Sequence, residues 1–311
     1  VDGRVDHRIS NSDFFYARYT YNKVNTFIGG LFLSVSAANL TISPGGNLSS
    51  YAGPAKSIAD QVQLNYIHAF TPNLLLELKA GYTFLNNEQD PLNFGESPNT
   101  AFGQPNLNFS SRTSELSPVT ITQGATLGGH PPIVYLENTF QYVGALSWTH
   151  GKHSLKFGAG VIRRQDKVTQ TDSASGTWTI NTFADLLTGT YTGVTRTDIL
   201  FQPRNRTWEP HAYIQDDWRL ASNLTLNLGL RYDLYTPYTE INNVLSNFDT
   251  DLGKIVVAGT PGVSATGDIN TDYSNLAPRV GFAYTPLPRT VVRGGFGISF
   301  APENLASGSA L

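Results

Sequence analysis

The sequence predicts an all-β protein of about ten long antiparallel strands arranged in five hairpins. Three observations support this prediction: apolar and polar residues alternate over long segments, short turns join these segments in pairs, and long connections follow each pair. In addition, only 14% of the 311 residues are charged, whereas soluble globular proteins have about 25%. This composition indicates that much of the surface does not face water.

The clearest alternation begins at Leu224, where six apolar residues take every second position: Leu224, Leu226, Leu228, Leu230, Tyr232 and Leu234. One face of this strand is therefore apolar and the other is mostly polar. The segment has about eleven residues, twice the usual length in soluble proteins and close to the ~9–11 residues that a tilted strand needs to cross a bilayer. The same alternation occurs in four further segments, which begin near Phe15, Leu74, Leu155 and Val292.

Each of these strands follows a short turn and a partner strand, so the chain reads as hairpins. The predicted partner strands are residues 4–9, 61–70, 139–149, 208–220 and 278–285, and the turns contain Pro, Asn, Asp or Gly, which favour tight reversals. The connections between hairpins, residues 25–56, 87–136, 169–206 and 237–276, all fall at the opposite end. This asymmetry is typical of outer-membrane barrels, with short periplasmic turns and long extracellular loops. We therefore predict an antiparallel transmembrane β-barrel segment.

One loop contains a predicted short helix from Phe183 to Thr188. Thr182 and Asp185 resemble a capping box with Asp in place of Glu, and Gly189 supplies a residue that can end the helix.

Aromatic residues are predicted to lie on the apolar face at or near strand ends, where membrane interfaces place their girdles. The residues are Tyr66, Phe70, Tyr82, Phe84, Tyr142, Trp148, Trp208, Trp218, Tyr284 and Phe300. The alternative is that aromatic rings simply favour strands. The middles of the strands carry almost no charge on this face; Asp216 is an exception, and it lies near a turn, where a lipid-facing charge costs little.

The other face carries Gly, Thr, Ser and Asn with scattered charges, which suits the hydrated wall of a wide barrel. The candidate lumen-lining residues are Arg4, Asp6, Arg8, Glu77, Lys79, His211, Tyr213, Arg231, Asp233, Arg279 and Arg293. We expect two sets of charged residues to form ion-pair ladders across neighbouring strands. The first set is Asp2, Arg4, Asp6 and Arg8, and the second is Arg231, Asp233, Arg279 and Arg293. Such ladders would either stiffen the wall or relay a substrate.

The sequence argues against several other classes of protein. It has no cysteine and a net charge of −3, so it lacks a thiol nucleophile and a basic surface for nucleic acid. It has no nucleophile elbow, phosphate loop or zinc-protease motif. His150 and His153 lack further metal ligands nearby, and the spacing of Asp166 and His211 gives no support for a protease pair. No enzyme activity and no cofactor are therefore expected.

Two segments carry a resemblance to a known family. Residues 213–219 (YIQDDWR), a short turn, and residues 224–232 (LTLNLGLRY) resemble a hallmark hairpin of TonB-dependent outer-membrane receptors, and more narrowly of the Oar-like group. Residues 4–8, 151–158, 182–189, 275–284 and 291–298 add to the resemblance, which covers nearly all of the chain in order.

The resemblance implies a transport protein of the bacterial outer membrane. Extracellular loops would bind an unidentified ligand, and a TonB-type energy-coupling protein would act through a plug to let it pass the barrel. Neither that plug nor the family's N-terminal domain is visible, so residues 1–311 are expected to be part of a single β-barrel domain, from the first half of a 22-stranded barrel in contact with outer-membrane lipid.

The edges of a ten-stranded segment must also be satisfied, because unpaired edge amides are costly in lipid. The segment closes on itself, or further strands complete it, or another chain does. The alternative function is an outer-membrane structural or assembly protein with no transport activity of its own.

Overall fold

The structure, a computed structural model, describes residues 1–30, 35–37, 39–42, 51–124, 126–169, 173–198, 200 and 202–302. Ten long strands form one antiparallel sheet in sequence order, and the short strand Thr239–Glu240 adds an eleventh by pairing with residues 205–206. They are β1 (Asp2–Arg8), β2 (Asp13–Ile28), β3 (Gly53–Thr71), β4 (Leu74–Gln89), β5 (Ile133–His150), β6 (His153–Thr169), β7 (Arg204–Ala221), β8 (Leu224–Asp233), β9 (Leu276–Leu287) and β10 (Thr290–Gly297). The predicted five hairpins of an all-β fold are confirmed.

Because each strand pairs with its neighbours in sequence, all five short turns lie at one end of the sheet and the long connections at the other. The bounds of the strands differ from those predicted. The strand from Leu224, expected to have about eleven residues, has ten, whereas β2 to β7 have 16 to 19 and extend past the predicted bounds, such as 61–70 for β3 and 208–220 for β7. At the other extreme, β10 ends at Gly297, so Phe300 lies beyond the strand, where its carbonyl oxygen accepts a hydrogen bond from the Tyr235 hydroxyl at 3.2 Å.

The pairing register places the predicted apolar positions of all five hairpins on one face, because directly opposite residues share a face. For example, Leu226 lies opposite Trp218 on β7 and Phe282 on β9. We call this the apolar face and the other the polar face. Leu228 and Leu230 are 39% and 41% exposed, so no second protein layer covers the apolar face there.

Two tryptophans on β7 match the thickness of a membrane. Trp208 and Trp218 both lie on the apolar face, and at about 3.4 Å per residue and a tilt of ~40° they are ~26 Å apart along the membrane normal. The apolar band of outer-membrane barrels is about 25 Å tall.

The longest strands extend past this band. Strands of 16 to 19 residues span roughly 39–47 Å along the same normal, so about 14–22 Å projects beyond the membrane at the loop end. For this reason the prediction that Tyr82 and Tyr142 lie at or near strand ends is wrong: both occupy the middle of β4 and β5.

At the turn end, two carboxylates on the apolar face contact histidine rings. His153 Nδ1 lies 2.7 Å from Asp216 Oδ2, and His68 Nδ1 lies 2.7 Å from Asp13 Oδ1. The His153 ring also stacks on Trp218, with ring centroids 5.3 Å apart. Asp216, which stood out in the sequence as a charge on the apolar face, is therefore paired.

The connections contain short elements of their own. These are helix α1 (Pro98–Ala101), a 3-10 helix (Ser111–Thr113), helix α2 (Phe183–Thr188) and strands Val35–Ala37, Leu40–Ile42, Val119–Ile121, Thr126–Leu127, Thr177–Ile180, Gly193–Thr195, Thr239–Glu240, Ser246–Asp249 and Lys254–Val257. The helix α2 is confirmed as predicted, including the Thr182–Asp185 capping box and a left-handed Gly189 at φ 68°. Among the described residues, no helix is long and apolar enough to span a bilayer.

The sheet is open. Within the described ranges, β1 pairs only with β2 and β10 only with β9, so the ten strands do not close on themselves. Of the three closures considered from the sequence, the self-closed ten-stranded barrel is thus not the one observed.

Candidate functional site

The polar face carries every residue predicted from the sequence to line a lumen. The register places all eleven there: Arg4, Asp6, Arg8, Glu77, Lys79, His211, Tyr213, Arg231, Asp233, Arg279 and Arg293. Their common face is an observation, and their contact with a lumen stays a prediction.

Three ion pairs on the polar face join residues two positions apart on one strand. Arg4 contacts Asp6 at 2.6 Å, Lys79 contacts Glu77 at 3.0 Å, and Arg231 contacts Asp233 at 2.7 Å. Residues i and i+2 of a strand point to the same side, so a long cationic side chain reaches its neighbour along the strand. On β1, β4 and β8 these six charges are therefore neutralised within the strand that carries them.

The expected ladders across neighbouring strands form only in part. Asp2 contacts Arg18 of β2 at 2.5 Å, which is a cross-strand pair. In contrast, Arg279 and Arg293 belong to no ion pair among the described residues, and the prediction that they extend a ladder is wrong. The reason is the register: Arg279 lies opposite Gly229 and Gly297, which offer no carboxylate.

A charge cluster near the loop end was missed by the sequence analysis. Arg164 donates a hydrogen bond to Glu209 at 2.7 Å and another to Glu137 at 3.2 Å, which joins β5, β6 and β7. Glu209 is only 6% exposed. The signal was present, because Glu209 is in phase with His211 and Tyr213 on the same strand.

Glycines on β6 create space for two aromatic side chains of β7. A Cβ atom on Gly158 would lie 2.3 Å from the Tyr213 ring, and one on Gly160 would lie 2.9 Å from the His211 ring. The register places each glycine directly opposite its ring. The rings of Tyr213 and His211 therefore lie against the β6 backbone, which fixes their positions on the polar face.

Two of the long connections fold together at the loop end of the sheet. Strands Gly193–Thr195, Thr177–Ile180, Val119–Ile121 and Thr126–Leu127 form a second sheet in that order. The central pair is parallel, with Trp178 opposite Val119, and the Trp178 amide donates to the Pro118 carbonyl at 2.8 Å. We call the described parts of 98–128 and 173–195, including α1 and α2, the loop unit. The sequence predicted only α2 within it.

Buried polar side chains hold the loop unit together. Asn99 is fully buried; its side chain donates to the Glu115 carbonyl at 3.2 Å and accepts from the Ser117 amide at 2.9 Å. The Ser175 hydroxyl donates to Glu115 Oε1 at 2.5 Å and so connects the two loops. Such satisfied buried groups favour one defined arrangement over an irregular loop.

His130, two residues after the first loop of the loop unit, contacts the chain at the start of β3. Its Nε2 lies 3.2 Å from the Ala52 carbonyl oxygen next to β3, and its Nδ1 lies 2.8 Å from the Pro131 carbonyl oxygen. The ring is completely buried, and this burial lowers the pKa of His130 from its ordinary value. The neutral ring can donate to only one of the two carbonyls at a time.

The structure separates the acidic residue and histidine that the sequence analysis weighed as a protease pair. Asp166 lies opposite Asn205 and His211 opposite Gly160, so this pair is separated by about 20 Å along the strands and does not meet. The described residues contain no group of three or more His, Cys, Asp or Glu that could hold a metal ion.

Comparisons with known proteins agree with this architecture. The structure of the ferric-catecholate import receptor Fiu from E. coli K12 superposes with a TM-score of 0.54 at 13% identity, over 96% of this chain and 42% of that chain. P. aeruginosa FpvA bound to heterologous pyoverdines gives 0.57 at 8% identity, over 97% and 35%. The copper transporter OprC gives 0.52 at 13% identity, over 95% and 35%.

These likenesses concern the fold, and the chain spans well under half the length of each of these proteins. A search of curated proteins found no match. A family model described as an outer membrane beta barrel domain matches residues 1–311. A long antiparallel sheet with an uncovered apolar face, a band of membrane thickness and this match lead to one conclusion: the chain belongs to the outer membrane beta barrel domain family and is a protein of the bacterial outer membrane.

Proposed function

We propose that the chain forms part of the barrel of a TonB-dependent outer-membrane receptor of the Oar-like group, which binds a ligand at its extracellular loops and passes it through the barrel. The observation that carries the proposal is the loop unit, in which two loops pair and fold together at the loop end of the sheet. A receptor needs a defined surface for its ligand, and the paired loops supply one. The eleven charged and polar residues of the polar face would then line the path of that ligand.

The resemblance in sequence and the likeness in fold support the same proposal. The neighbours in structure are a ferric-catecholate import receptor, a protein bound to pyoverdines and a copper transporter. In this proposal, further strands complete the barrel at the edges of β1 and β10, and a TonB-type protein supplies energy through a plug that is not among these residues.

Uptake by whole cells tests the proposal. Cells with and without the gene are given ⁵⁵Fe-loaded catecholate, ⁶⁴Cu and a defined mixture of organic nutrients, and depletion of each from the medium is measured with and without a protonophore. We expect at least one probe to be taken up only when the gene is present, and the protonophore to abolish that uptake. Uptake that persists with the protonophore indicates a passive pore and contradicts the proposal, as does the absence of any gene-dependent uptake.

The open edges favour a second candidate, an outer-membrane structural or assembly protein. Two unpaired strands offer backbone groups that another chain can extend. The mass of the intact protein separates the candidates: about 100 kDa or more allows one polypeptide to complete a 22-stranded barrel, while 34 kDa with gene-independent uptake favours assembly with other chains.

A further inference from the structure

The apolar face becomes basic from Trp208 onwards, at the loop end of β6 and β7. Two cations of β6, Arg163 and Lys167, and two of β7, Arg204 and Arg206, lie there on the face that carries Trp208. They share that face because alternate residues of a strand point to the same side. Arg204 and Arg206 are exposed. We call these four residues the cationic patch.

The pairing register brings the four cations close together. Lys167 lies directly opposite Arg204. Arg206 lies diagonally from both Arg163 and Lys167. Directly opposite residues have Cβ atoms about 4.5–5.5 Å apart, and diagonal neighbours are about 7–8 Å apart. Like charges at such distances repel each other, so the patch concentrates positive charge on a small area of the sheet.

No ion pair among the described residues involves the patch. Arg163 instead stacks on Trp208, with its guanidinium carbon 4.2 Å from the ring centroid. The Glu240 carboxylate lies on the polar face, opposite Asn205, and accepts from the Arg204 backbone amide at 3.0 Å. The side-chain charges of the patch are therefore open to an external anion.

The patch begins at the loop-end edge of the apolar band. Arg163 lies opposite Trp208. Arg206 and Arg204 precede Trp208 in the chain by two and four residues, which places them ~5 and ~10 Å beyond it along the membrane normal. Lipid headgroups occupy ~5–8 Å on each side of the hydrocarbon, and long cationic side chains reach toward them. The patch therefore lies at the height of the headgroups of the outer leaflet.

Exposed apolar side chains lie on the same face, closer to the middle of the band. Val161, two residues from Arg163 on β6, is opposite Tyr142, which is 52% exposed. On β7, Ile214 is 43% exposed. A surface that is apolar within the band and basic at its edge matches a lipid with an anionic headgroup.

The open edges of the sheet are remote from the patch. Both β6 and β7 pair with a strand on each side, with β1 to β5 beyond one and β8 to β10 beyond the other. Strands that pair with β1 or β10 would therefore leave the patch uncovered. Its neighbour in the membrane is lipid.

We propose that the cationic patch binds the phosphate groups of a lipid of the outer leaflet, whose acyl chains lie against the apolar face. Four cations spread over ~10 Å along the normal favour a headgroup with two phosphates, such as the lipid A part of lipopolysaccharide. Three of the four are Arg, whose planar guanidinium can donate two parallel hydrogen bonds to one phosphate. The proposal requires no transport, so it applies to a receptor and to an assembly protein alike.

Binding of two matched lipids to the full-length protein tests the proposal. Lipid A carries two phosphates, and monophosphoryl lipid A prepared from it carries one on the same acyl chains. The protein is held on beads in detergent, and bound radiolabelled lipid is counted over a range of lipid concentrations. We expect the wild type to bind lipid A more tightly than the monophosphoryl form. Raising NaCl from ~0.05 to ~0.5 M should weaken lipid A binding, because salt screens exposed charges.

Two double variants with the same change in net charge locate the site. Arg204→Gln with Arg206→Gln should weaken lipid A binding roughly 30-fold, or about 5-fold for each cation removed. The control is Lys23→Gln with Lys56→Gln, which removes two cations from the same face of β2 and β3. There Lys56 already contacts Glu88 at 3.8 Å, and we expect the affinity for lipid A to stay nearly unchanged.

A conservative variant separates charge from folding. Arg204→Lys with Arg206→Lys keeps both charges and should retain most of the binding, and heat-modifiable gel mobility shows whether each variant is folded. Equal binding of the two lipids by the wild type, lipid A binding that salt leaves unchanged, or an equal loss in the patch variant and its control overturns the proposal. Should the Gln variant not fold, the two-lipid comparison and the salt dependence of the wild type still decide.

Discussion

Single residues on the polar face are held by close packing as well as by charge, and Gly158 is the clearest case. We expect Gly158→Ala to destabilise the sheet, because the new Cβ would lie 2.3 Å from the Tyr213 ring and overpacking costs roughly 1–3 kcal/mol. Urea titration of the protein in lipid vesicles, followed by tryptophan fluorescence, measures the change.

The matched control for Gly158 is Gly229, on the polar face of β8. A Cβ there meets Arg279 Cβ at 3.7 Å, an ordinary contact, so Gly229→Ala should have a much smaller effect. In a Tyr213→Ala background the penalty of Gly158→Ala should disappear. A penalty that persists there would show that the ring is not its cause.

Asp90 gives a prediction on pH. It follows β4, its Oδ1 is buried without a partner in the described residues, and burial, with a smaller effect of nearby Glu88, raises its pKa from 3.8 to about 6. Because the folded state binds this proton more tightly than the unfolded state, Asp90 favours folding below pH ~4 and loses that contribution as pH rises through ~6.

We therefore expect Asp90→Asn to be more stable than the wild type at pH 8 and to lose this advantage at lower pH. Chemical unfolding at pH 4 and pH 8 measures the difference, and Asp251→Asn, which removes an exposed loop carboxylate, is the control. A gain for Asp90→Asn that is the same at both pH values would contradict the assignment.

At the scale of elements, α2 depends on its cap. The Thr182 hydroxyl accepts from the Asp185 amide at 3.2 Å, and loss of such a cap costs about 0.5–2 kcal/mol. We expect Thr182→Ala to increase cleavage of the loop unit by a protease added to intact cells, and Thr182→Ser, which keeps the hydroxyl, to behave as the wild type. Equal cleavage of both variants would remove the cap as the explanation.

The strand β8 tests which face meets lipid. Leu230 lies opposite Ile214, about midway between Trp208 and Trp218, so Leu230→Arg should cost ~2–4 kcal/mol in a bilayer. Leu226→Arg, opposite Trp218, should cost only ~0–1 kcal/mol, and Asn227→Arg on the polar face should cost little. Folding titrations in vesicles compare the three. Similar penalties for Leu230→Arg and Asn227→Arg would reverse the assignment of the faces.

At the scale of the whole molecule, the open sheet predicts that β1 and β10 have separate neighbours. The chain has no cysteine, so introduced pairs are unambiguous. We expect Val5→Cys with Ala17→Cys, which are directly opposite in the register, to form a disulfide in outer membranes, and Val5→Cys with Val292→Cys to form none within one chain. Gel mobility under non-reducing conditions reports both, and an efficient second disulfide would show that the ten strands close.

Features with a local or periodic cause were predictable from the sequence. The alternation from Leu224 to Tyr232 fixed the face of each side chain, and Thr182, Asp185 and Gly189 fixed both ends of α2. The order of the strands followed from the short turns. Each of these depends on residues close together in the chain.

Features that depend on pairing between distant segments were not predictable in this way. The parallel contact between Val119 and Trp178 joins two loops without any repeating pattern, and the loop unit depends on it. The predicted ion-pair ladder at Arg279 was wrong for the same reason, because only the pairing register shows that Gly229 and Gly297 lie opposite this residue. The alternation placed Glu209 and Arg164 on the polar face, but their contact also depends on how β6 and β7 are paired in register.

The parallel pairing of the two loops has a mechanical consequence. One loop connects β4 to β5 and the other connects β6 to β7, so the loop unit links the ends of four consecutive strands. The two loops cannot separate without breaking the Trp178–Pro118 hydrogen bond and the other hydrogen bonds of this parallel pair. We therefore expect the two loops to be displaced together, as one body, rather than separately.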